Sequence, residues 1–285
     1  MTEILKETLR PYQERAETAL VEHYSVFGAP SKLQEACIYA ISRGGKRFRP
    51  ALVWMVADAL KSSYDVTPAA LAVEYFHTAS LIADDLPCMD DELERRGSPA
   101  LHRAFGEATA LLASYALIAE GYAALGRNGE LFRKAGGSND ARVLALILEH
   151  AGRTTGIEGA SGGQYLDLYP PEETLAVYKE TVLKKTISLF EMSFIFGWLF
   201  GGGSPERIEE VKKAAYHYGM AFQIADDLGD LEKDQSLGRT MNLVLLMGKE
   251  KAYQLFQEEL TNYRKQLTSL GIDSPALLAL AEGIQ

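Results

Sequence analysis

The segment SLIADDLPCMDD occupies residues 80–91, and the segment FQIADDLGD occupies residues 222–230. Both contain the pentamer Ile-Ala-Asp-Asp-Leu, at 82–86 and again at 224–228. Apolar side chains precede each copy over most of the circumference of a helix, and a helix that is apolar nearly all round is buried. Five shared residues are too few to indicate a solenoid repeat. They do predict two buried helices that end in the same acidic chemistry.

Helical signals continue along most of the chain, whereas the period-two alternation typical of strands is scarce. Proline and capping residues mark three helix starts, at Thr67-Pro68, Pro171 and Ser204-Pro205, with ends expected near 86, 200 and 228. Thr67 is predicted to be the N-cap of the first of these helices. The polar, glycine-rich stretch Gly126–Asn139 is predicted to be a surface loop. We therefore predict one all-α, single-domain helical bundle of about ten helices over residues 1–285.

Composition excludes several classes of protein. The chain has 285 residues, of which 47% are hydrophobic and 24% charged, and this is an ordinary globular composition. Two cysteines, Cys37 and Cys88, cannot build a disulfide framework, so we expect a reducing, cytoplasmic location. No early run is apolar enough for a signal peptide or long enough to span a bilayer, and we expect no stable membrane anchor. A net charge of −10 disfavours nucleic acid as a partner.

The acidic segments predict a divalent-cation site. Their six candidate ligands are Asp84, Asp85, Asp90, Asp226, Asp227 and Asp230. Adjacent carboxylates repel, and the C-terminal end of a helix is already partly negative. All-oxygen ligation without His or Cys suits Mg²⁺ or Mn²⁺ rather than Zn²⁺, and magnesium usually completes its shell with phosphate oxygens. For one cluster alone, capping of a turn or simple solvation is an equal alternative, but two identical clusters favour a phosphorylated substrate.

Basic residues lie beside the acidic segments in spite of the net negative charge. GGKRFRP at 44–50 places three cations before a helix expected to start near Pro50, where free N–H groups and glycines suit an anion. Arg95-Arg96 follows the first acidic segment, and Lys184-Lys185 lies in a predicted helix, where an ion-pair role is the alternative. His77 precedes Asp84 by seven residues, and a buried core histidine is its alternative role. Together these cations predict recognition of a diphosphate.

These segments resemble the trans-isoprenyl diphosphate synthases, also called the polyprenyl synthetase family, of the short-chain farnesyl or geranylgeranyl type. The matching segments are GGKRFRP at 44–50, SLIADDLPCMDDELERRGSPALH at 80–102, SGGQYLDL at 161–168, Lys185-Thr186 and FQIADDLGD at 222–230. The resemblance implies an all-α bundle around a central cavity, the isoprenoid synthase fold, in a homodimer. It also implies a prenyltransferase that condenses isopentenyl diphosphate with allylic diphosphates of five to fifteen carbons.

The resemblance further implies roles for individual residues. Three Mg²⁺ ions, with Mn²⁺ as a substitute, would bind the allylic diphosphate through the six aspartates named above, which with Lys185 are the predicted catalytic residues. The predicted contacts of the allylic diphosphate are Arg95, Lys185 and Thr186, and those of isopentenyl diphosphate are Lys46, Arg49, His77 and Arg96. Gln223 is predicted to bind substrate beside the second acidic segment. Gln164 and Asp167 are expected to support the residues that contact the substrate.

Product length is expected to depend on residues below the first acidic segment. Ala79 lies five residues before Asp84, about 8 Å along a helix, and Phe76 lies about 12 Å along it. In the family, an aromatic residue at the position of Ala79 closes the pocket early and favours farnesyl diphosphate. Alanine leaves room and makes Phe76 the floor, so we predict a C20 product, with C15 as the second choice. Close packing between helices is the alternative role of Ala79.

Two places depart from the family pattern. Ser114-Tyr115 stands where many relatives carry Gly-Asp, and Tyr115 is expected to alter the cavity wall or the dimer face. After Asp230 the match weakens, and either Lys233 or Arg239 is expected to serve the diphosphate.

Three other functions remain as alternatives. A class I terpene cyclase would need neither GGKRFRP nor a second segment of the form FQIADDLGD. A non-catalytic regulatory subunit of a prenyl synthase is expected to lose one acidic cluster, and both are present. A generic acidic bundle that binds divalent ions does not explain the neighbouring arginines.

Overall fold

The computed structural model describes residues 2–236 and 240–284. Fourteen α-helices in this part of the chain are α1 Glu3–Glu22, α2 Lys32–Ser42, α3 Phe48–Ala59, α4 Thr67–Asp84, α5 Leu101–Phe105, α6 Glu107–Lys134, α7 Asp140–Thr155, α8 Ala160–Leu168, α9 Leu175–Val182, α10 Ser188–Phe200, α11 Ile208–Ser236, α12 Leu243–Met247, α13 Lys249–Leu270 and α14 Pro275–Gly283. Short 3₁₀ turns lie at Tyr24–Phe27 and Pro205–Arg207, and a π turn lies at Leu183–Ile187. Two-residue strands, β1 Glu94–Arg95 and β2 Ser98–Pro99, pair antiparallel. The predicted all-α fold class is confirmed.

The centre of the bundle is built from the most apolar helices. Every residue of α10 is buried, and this helix packs against α3, α4, α7 and α11. Helix α4 is buried over most of its length and packs most extensively along α6. The acidic end of α4 and the acidic half of α11 therefore belong to central helices, whose other faces are already covered by neighbours.

Both acidic helices differ in detail from their predicted bounds. Thr67 is the first residue of α4 rather than its N-cap, and its amide donates to Asp65 Oδ1 at 2.9 Å. Helix α4 ends at Asp84 instead of near residue 86, while α11 continues to Ser236. Because α11 persists through the second acidic segment, Asp226 and Asp230 lie one turn apart on the same face.

Two other helix predictions were wrong in their bounds. The helix expected from Pro171 begins at Leu175, where the Thr174 side chain caps it. The predicted loop Gly126–Asn139 is mostly helix, since α6 continues to Lys134. Polar composition suggested a loop, but Asn128 is fully buried and its side chain accepts a hydrogen bond of 2.9 Å from the Ala69 amide at the start of α4. That contact fixes the second half of α6 to the core.

In the described part of the chain, one helix, α6, meets the length and hydropathy expected of a membrane-spanning segment. Its 28 residues include an apolar window of mean hydropathy 1.4, of which 39% is buried by the rest of the protein. This helix is also the main packing partner of α4. A partly buried core helix meets the same criteria, so this finding alone does not indicate a membrane anchor.

Candidate active site

The first acidic segment folds back on the end of α4. Asp85 caps the helix, and the Asp90 amide donates to the Asp84 carbonyl oxygen at 2.9 Å. This turn returns Asp90 to the neighbourhood of Asp84. The chain then forms the hairpin of β1 and β2, whose turn residues Arg96 and Gly97 both have positive φ.

Within this segment, Asp85 is paired by the protein itself. It is 3% exposed, and Arg95 Nε donates to its two carboxylate oxygens at 2.9 and 3.2 Å. Arg95 is also the residue predicted to contact the allylic diphosphate, and that contact stays a prediction. Its side chain is still 37% exposed, which leaves part of the guanidinium open to a ligand.

Asp84 and Asp90 have no such pairing. Within residues 2–236 and 240–284, no hydrogen bond reaches either side chain. Burial raises the pKa of Asp84 to about 6, with Lys185 opposing the rise and Asp90 adding to it. Burial likewise raises the pKa of Asp90. A partly buried carboxylate and an exposed one beside it, both without a donor, are a site that a cation would stabilise.

In the second acidic segment, too, one aspartate is bound by the protein and the other two are not, within the described residues. Asp227 is 7% exposed and accepts hydrogen bonds from Tyr178 Oη at 2.6 Å, Gln223 Nε2 at 2.9 Å and the Leu243 amide at 2.6 Å. No side-chain hydrogen bond to Asp226 or Asp230 is found among the residues that the structure describes. Burial raises the pKa of Asp226, with repulsion from Asp230 as the next cause.

The π turn Leu183–Ile187 connects the two acidic segments. Lys185 Nζ donates to Asp167 Oδ2 at 2.5 Å, and its charge opposes the rise in the pKa of Asp84. The next residue, Thr186, donates through Oγ1 to Gln223 Oε1 at 3.0 Å, and Gln223 in turn binds Asp227. Single π turns inside α-helices are frequent at functional sites. Here the turn places Lys185, whose charge acts on Asp84 of the first segment, next to Thr186, which binds Gln223 of the second segment.

Helix α8 approaches this turn through a glycine. A Cβ atom on Gly163 would lie 2.2 Å from the Lys185 amide nitrogen, so any larger residue would push the two backbones apart. The neighbouring Gln164 is buried, and neither polar atom of its side-chain amide has a protein partner within the described residues.

Arg49, His77 and Arg96 lie close together beside helix α4, before the first acidic segment, and we call them the basic group. Arg49 Nη1 is 3.1 Å from His77 Nε2, and Arg96 Nη1 donates to the Gly44 carbonyl oxygen at 2.6 Å. Burial lowers the pKa of His77 well below its usual value, and Arg49 and Arg96 lower it further. Burial also lowers the pKa of Arg49 to about 10. Three of the predicted isopentenyl diphosphate contacts are therefore brought together. An anion bound there would relieve the repulsion between the positive charges of Arg49 and Arg96.

The fourth predicted contact, Lys46, lies apart on an exposed loop. It borders a cavity of about 600 Å³ between α1, α11, α13 and α14, whose lining includes Asp226 and Phe222. Lys46 is close enough to Asp226 to oppose the rise in its pKa. Its position suits a ligand that lies between the loop and the second acidic segment.

Two glutamates beside the basic group, Glu17 and Glu74, were missed by the sequence analysis. Glu74 is 2% exposed and is paired with Arg47, and its Oε1 lies 3.8 Å from Arg96 Nη1. Arg47 Nε also donates to Glu17 at 2.7 Å, from a backbone with φ of 44°. A glutamate in the middle of an apolar helix was the available signal, because a buried carboxylate requires a cationic partner.

Below Asp84 lies an apolar cavity of about 210 Å³. Its lining includes Phe76, Ala79, Ala83, Ser114, Ile118, Thr155, Gln164 and Leu189. Ser114 Oγ donates to the Ala79 carbonyl oxygen at 2.9 Å, while Tyr115 is 58% exposed on the outer face of α6. Of the two expectations for Tyr115, the cavity wall is therefore wrong, and its outward position fits a surface role.

The chain after the second acidic segment returns to it. Asn242 Nδ2 donates to the Asp227 carbonyl oxygen at 3.1 Å and to Asp234 Oδ2 at 2.9 Å. Lys233 lies exposed in the last turns of α11. Arg239, its alternative in the sequence analysis, lies outside the described residues.

The carboxylates fit magnesium better than a metal that needs a complete protein cage. No group of three His, Cys, Asp or Glu side chains close enough to hold a metal ion is found in residues 2–236 and 240–284. Magnesium takes one or two carboxylates and completes its shell with water and phosphate oxygens. The free carboxylates Asp84 and Asp90 on one side, and Asp226 and Asp230 on the other, meet that requirement.

Comparison with known proteins agrees with this geometry. The family profile "Polyprenyl synthetase" matches residues 30–248. The chain is 40% identical over 228 residues to geranylgeranyl pyrophosphate synthase 6, mitochondrial, of Arabidopsis thaliana, covering 76% of this chain and 66% of the relative, just under two thirds. It is 34% identical over 243 residues to farnesyl diphosphate synthase of Bacillus subtilis, covering 84% and 80%. A crystal structure of an FPP/GFPP synthase from Zymomonas mobilis superposes with a TM-score of 0.83, at 28% identity and coverage of 96% and 98%.

Proposed function

The chain belongs to the polyprenyl synthetase family, and from that premise we propose that it is a magnesium-dependent prenyltransferase. It condenses isopentenyl diphosphate with allylic diphosphates of five to fifteen carbons to give a short all-trans prenyl diphosphate. The observation that carries this proposal is the bridge from Lys185 near Asp84 to Thr186 and Gln223 beside Asp227. It supports one diphosphate site between two carboxylate pairs.

In the proposed reaction, the chain holds an allylic diphosphate while its C–O bond ionises. Magnesium would neutralise the departing diphosphate when held by Asp84, Asp90, Asp226 and Asp230, and three ions with Mn²⁺ as a substitute remain our prediction. Lys185 and the exposed part of Arg95 add positive charge at the same oxygens. Asp85 and Asp227, already bound by protein donors, hold the two segments in position.

The second substrate is assigned to the basic group. Arg49, His77 and Arg96 would bind the diphosphate of isopentenyl diphosphate, and Lys46 would approach it from the loop that faces the second acidic segment. The allylic carbon that ionises is then attacked by the double bond of isopentenyl diphosphate, and a proton leaves to the released diphosphate. The apolar walls around Ala79 exclude water from the cation. No protein nucleophile is required.

We propose C20 as the principal product and C15 as the second. Support comes from the small side chain of Ala79 and from the position of Phe76 in the lining of the same apolar cavity. Replacement of Ala79 with Phe is expected to shorten the product, as judged by mass spectrometry.

One assay separates the candidate functions. The purified protein is incubated with Mg²⁺, isopentenyl diphosphate and each allylic diphosphate from five to fifteen carbons, and the products are sized. Linear prenyl diphosphates support the proposal. A cyclised hydrocarbon would identify a terpene cyclase, and diphosphate binding without turnover would identify a regulatory subunit.

We further propose a homodimer that forms through the outer face of α6. Leu111, Leu112 and Tyr115 are exposed there, at 39%, 52% and 58%, while Ile118, at 36%, lies at the edge of this face and also lines the cavity. An apolar stripe of this kind on one helix suits a matching stripe on a second copy. Light scattering of Tyr115→Glu should give a monomer mass if this face forms the dimer, and an unchanged dimer mass would reject it. A cytoplasmic location stays a prediction, with both cysteines free.

A further inference from the structure

The lower end of the apolar cavity is a contact between three residues of two helices. Phe76 on α4 is 3% exposed and lines the cavity. Its ring lies edge-on against Tyr122 of α6, with ring centres 5.1 Å apart. Gly121, the residue before Tyr122, is buried on the same side of α6. We call Phe76, Gly121 and Tyr122 the floor group.

Tyr122 is itself held in place from a third helix. Its Oη lies 3.3 Å from Thr155 Oγ1 at the end of α7, and Thr155 also donates to the Ala151 carbonyl oxygen at 2.7 Å. Thr155 belongs to the lining of the same cavity. The Phe76 ring therefore has a packed aromatic neighbour on one side and the cavity on the other.

Gly121 supplies the space that the Phe76 ring occupies. A Cβ atom built on Gly121 would lie 2.6 Å from Phe76 Cε1 and 2.7 Å from Cζ, closer than carbon atoms approach in folded proteins. Glycine inside a helix costs about 1 kcal/mol relative to alanine, so a buried helical glycine indicates a packing requirement. Here the requirement is the ring of Phe76.

We propose that Gly121 is a specificity-determining residue, because it sets how far the Phe76 ring withdraws from the cavity and so how long a prenyl chain fits. This inference rests on the proposed function. Gly121 touches no substrate and acts through Phe76, so it is a positioning residue. A methyl group at position 121 displaces the ring away from α6, and the free volume beside the ring is the cavity itself. The accessible depth then decreases.

The test compares product lengths from five purified proteins: the wild type, Gly121→Ala, Phe76→Ala, the double variant and Gly126→Ala. Gly126→Ala is the matched control, because Gly126 lies in the same helix, is exposed and has nothing within 4 Å of a built Cβ. Gly121→Ala should raise the ratio of the next shorter product to the wild-type product about tenfold, the lower end of the discrimination that one methylene group gives in an apolar pocket. Gly126→Ala should leave the ratio unchanged.

The double variant shows whether the effect passes through Phe76. Phe76→Ala should lengthen the products, and adding Gly121→Ala to it should change nothing further, since the displaced ring is gone. An unchanged ratio in Gly121→Ala, or shortening that persists without Phe76, would overturn the inference. A wild-type protein that makes no prenyl diphosphate would instead reject the proposed function, so the two failures are distinguishable.

Thermal unfolding gives a second readout if Gly121→Ala is poorly folded. The substitution should lower the unfolding temperature when Phe76 is present and raise it slightly in the Phe76→Ala background, where the clash is gone and alanine favours the helix. Equal losses in both backgrounds would show that the ring does not occupy this space, and the inference would fail.

Discussion

The pentamer Ile-Ala-Asp-Asp-Leu occurs in two surroundings that differ in almost every structural respect. At 82–86 the helix ends, and a hairpin follows that supplies Arg95 to Asp85. At 224–228 the helix continues to Ser236, and neutral donors from α9, α11 and the start of α12 bind Asp227.

The outcome is nevertheless the same at the two places. In each pair the second aspartate is buried and bound by the protein, while the first has no hydrogen-bonding partner in residues 2–236 and 240–284. Asp85 is stabilised by a charge and Asp227 by three hydrogen bonds. We conclude that one carboxylate of each pair fixes the segment and the other is available to a cation.

The largest expected effect is a loss of turnover, and it concerns the first aspartate of each pentamer. Asp84→Asn and Asp226→Asn should each lower turnover by about 10²- to 10³-fold, because each removes charge that stabilises the leaving diphosphate through magnesium. Stability should not fall, since neither side chain has a hydrogen bond to lose within residues 2–236 and 240–284. Asp91→Asn is the control: Asp91 is exposed and has φ of 48°, a conformation that asparagine tolerates. Turnover by steady-state assay within threefold of wild type in either site variant would contradict the assignment.

Replacement of the second aspartate of each pentamer should destabilise the protein to different extents. Asp227→Ala leaves three donors without an acceptor and should lower the free energy of unfolding by about 3 kcal/mol. Asp85→Ala should lower it by about 1 kcal/mol, because Arg95 is partly exposed and can turn into solvent. Urea unfolding of both variants measures the difference. Equal losses of unfolding free energy would contradict this difference between Asp85 and Asp227.

Ligand-induced stabilisation tests the free carboxylates together. Magnesium with inorganic pyrophosphate, at about a hundred times its dissociation constant, should stabilise the wild type by about 2.7 kcal/mol. The double variant Asp84→Asn/Asp226→Asn should lose this stabilisation, and Asp91→Asn should keep it. Thermal shift with and without EDTA measures the effect, and full stabilisation of the double variant would place the ions elsewhere.

The smallest effect concerns one hydrogen bond of the second segment. Tyr178→Phe removes only the hydroxyl that donates to Asp227 and should lower the free energy of unfolding by about 1 kcal/mol. Tyr169→Phe is a suitable control because Tyr169 is exposed. No loss in Tyr178→Phe would mean that the remaining two donors suffice to hold Asp227.

The sequence was sufficient for the all-α fold class and for the family, because helical periodicity and the two acidic segments are local patterns. It was not sufficient for the partners of Asp85 and Asp227. Tyr178 lies 49 residues from Asp227 along the chain, and no local spacing indicates that contact. The loop wrongly predicted at Gly126–Asn139 has the same cause, since the hydrogen bond from Ala69 to Asn128 is a long-range contact.

The floor group adds a second example of information that only the folded chain contains. Ala79 and Phe76 could be placed on one helix by counting residues. Gly121 gave no signal in the sequence, because its role depends on the approach of α6 to α4.

The most direct test of the account is a crystal structure with Mn²⁺ and inorganic pyrophosphate, in which anomalous scattering locates the ions. The account predicts manganese bound by Asp84 and Asp90 on one side and by Asp226 on the other, with the diphosphate between them. Arg95 should remain on Asp85, and Tyr178 on Asp227. Ions bound at any other place, or pyrophosphate held by the basic group alone, would contradict it.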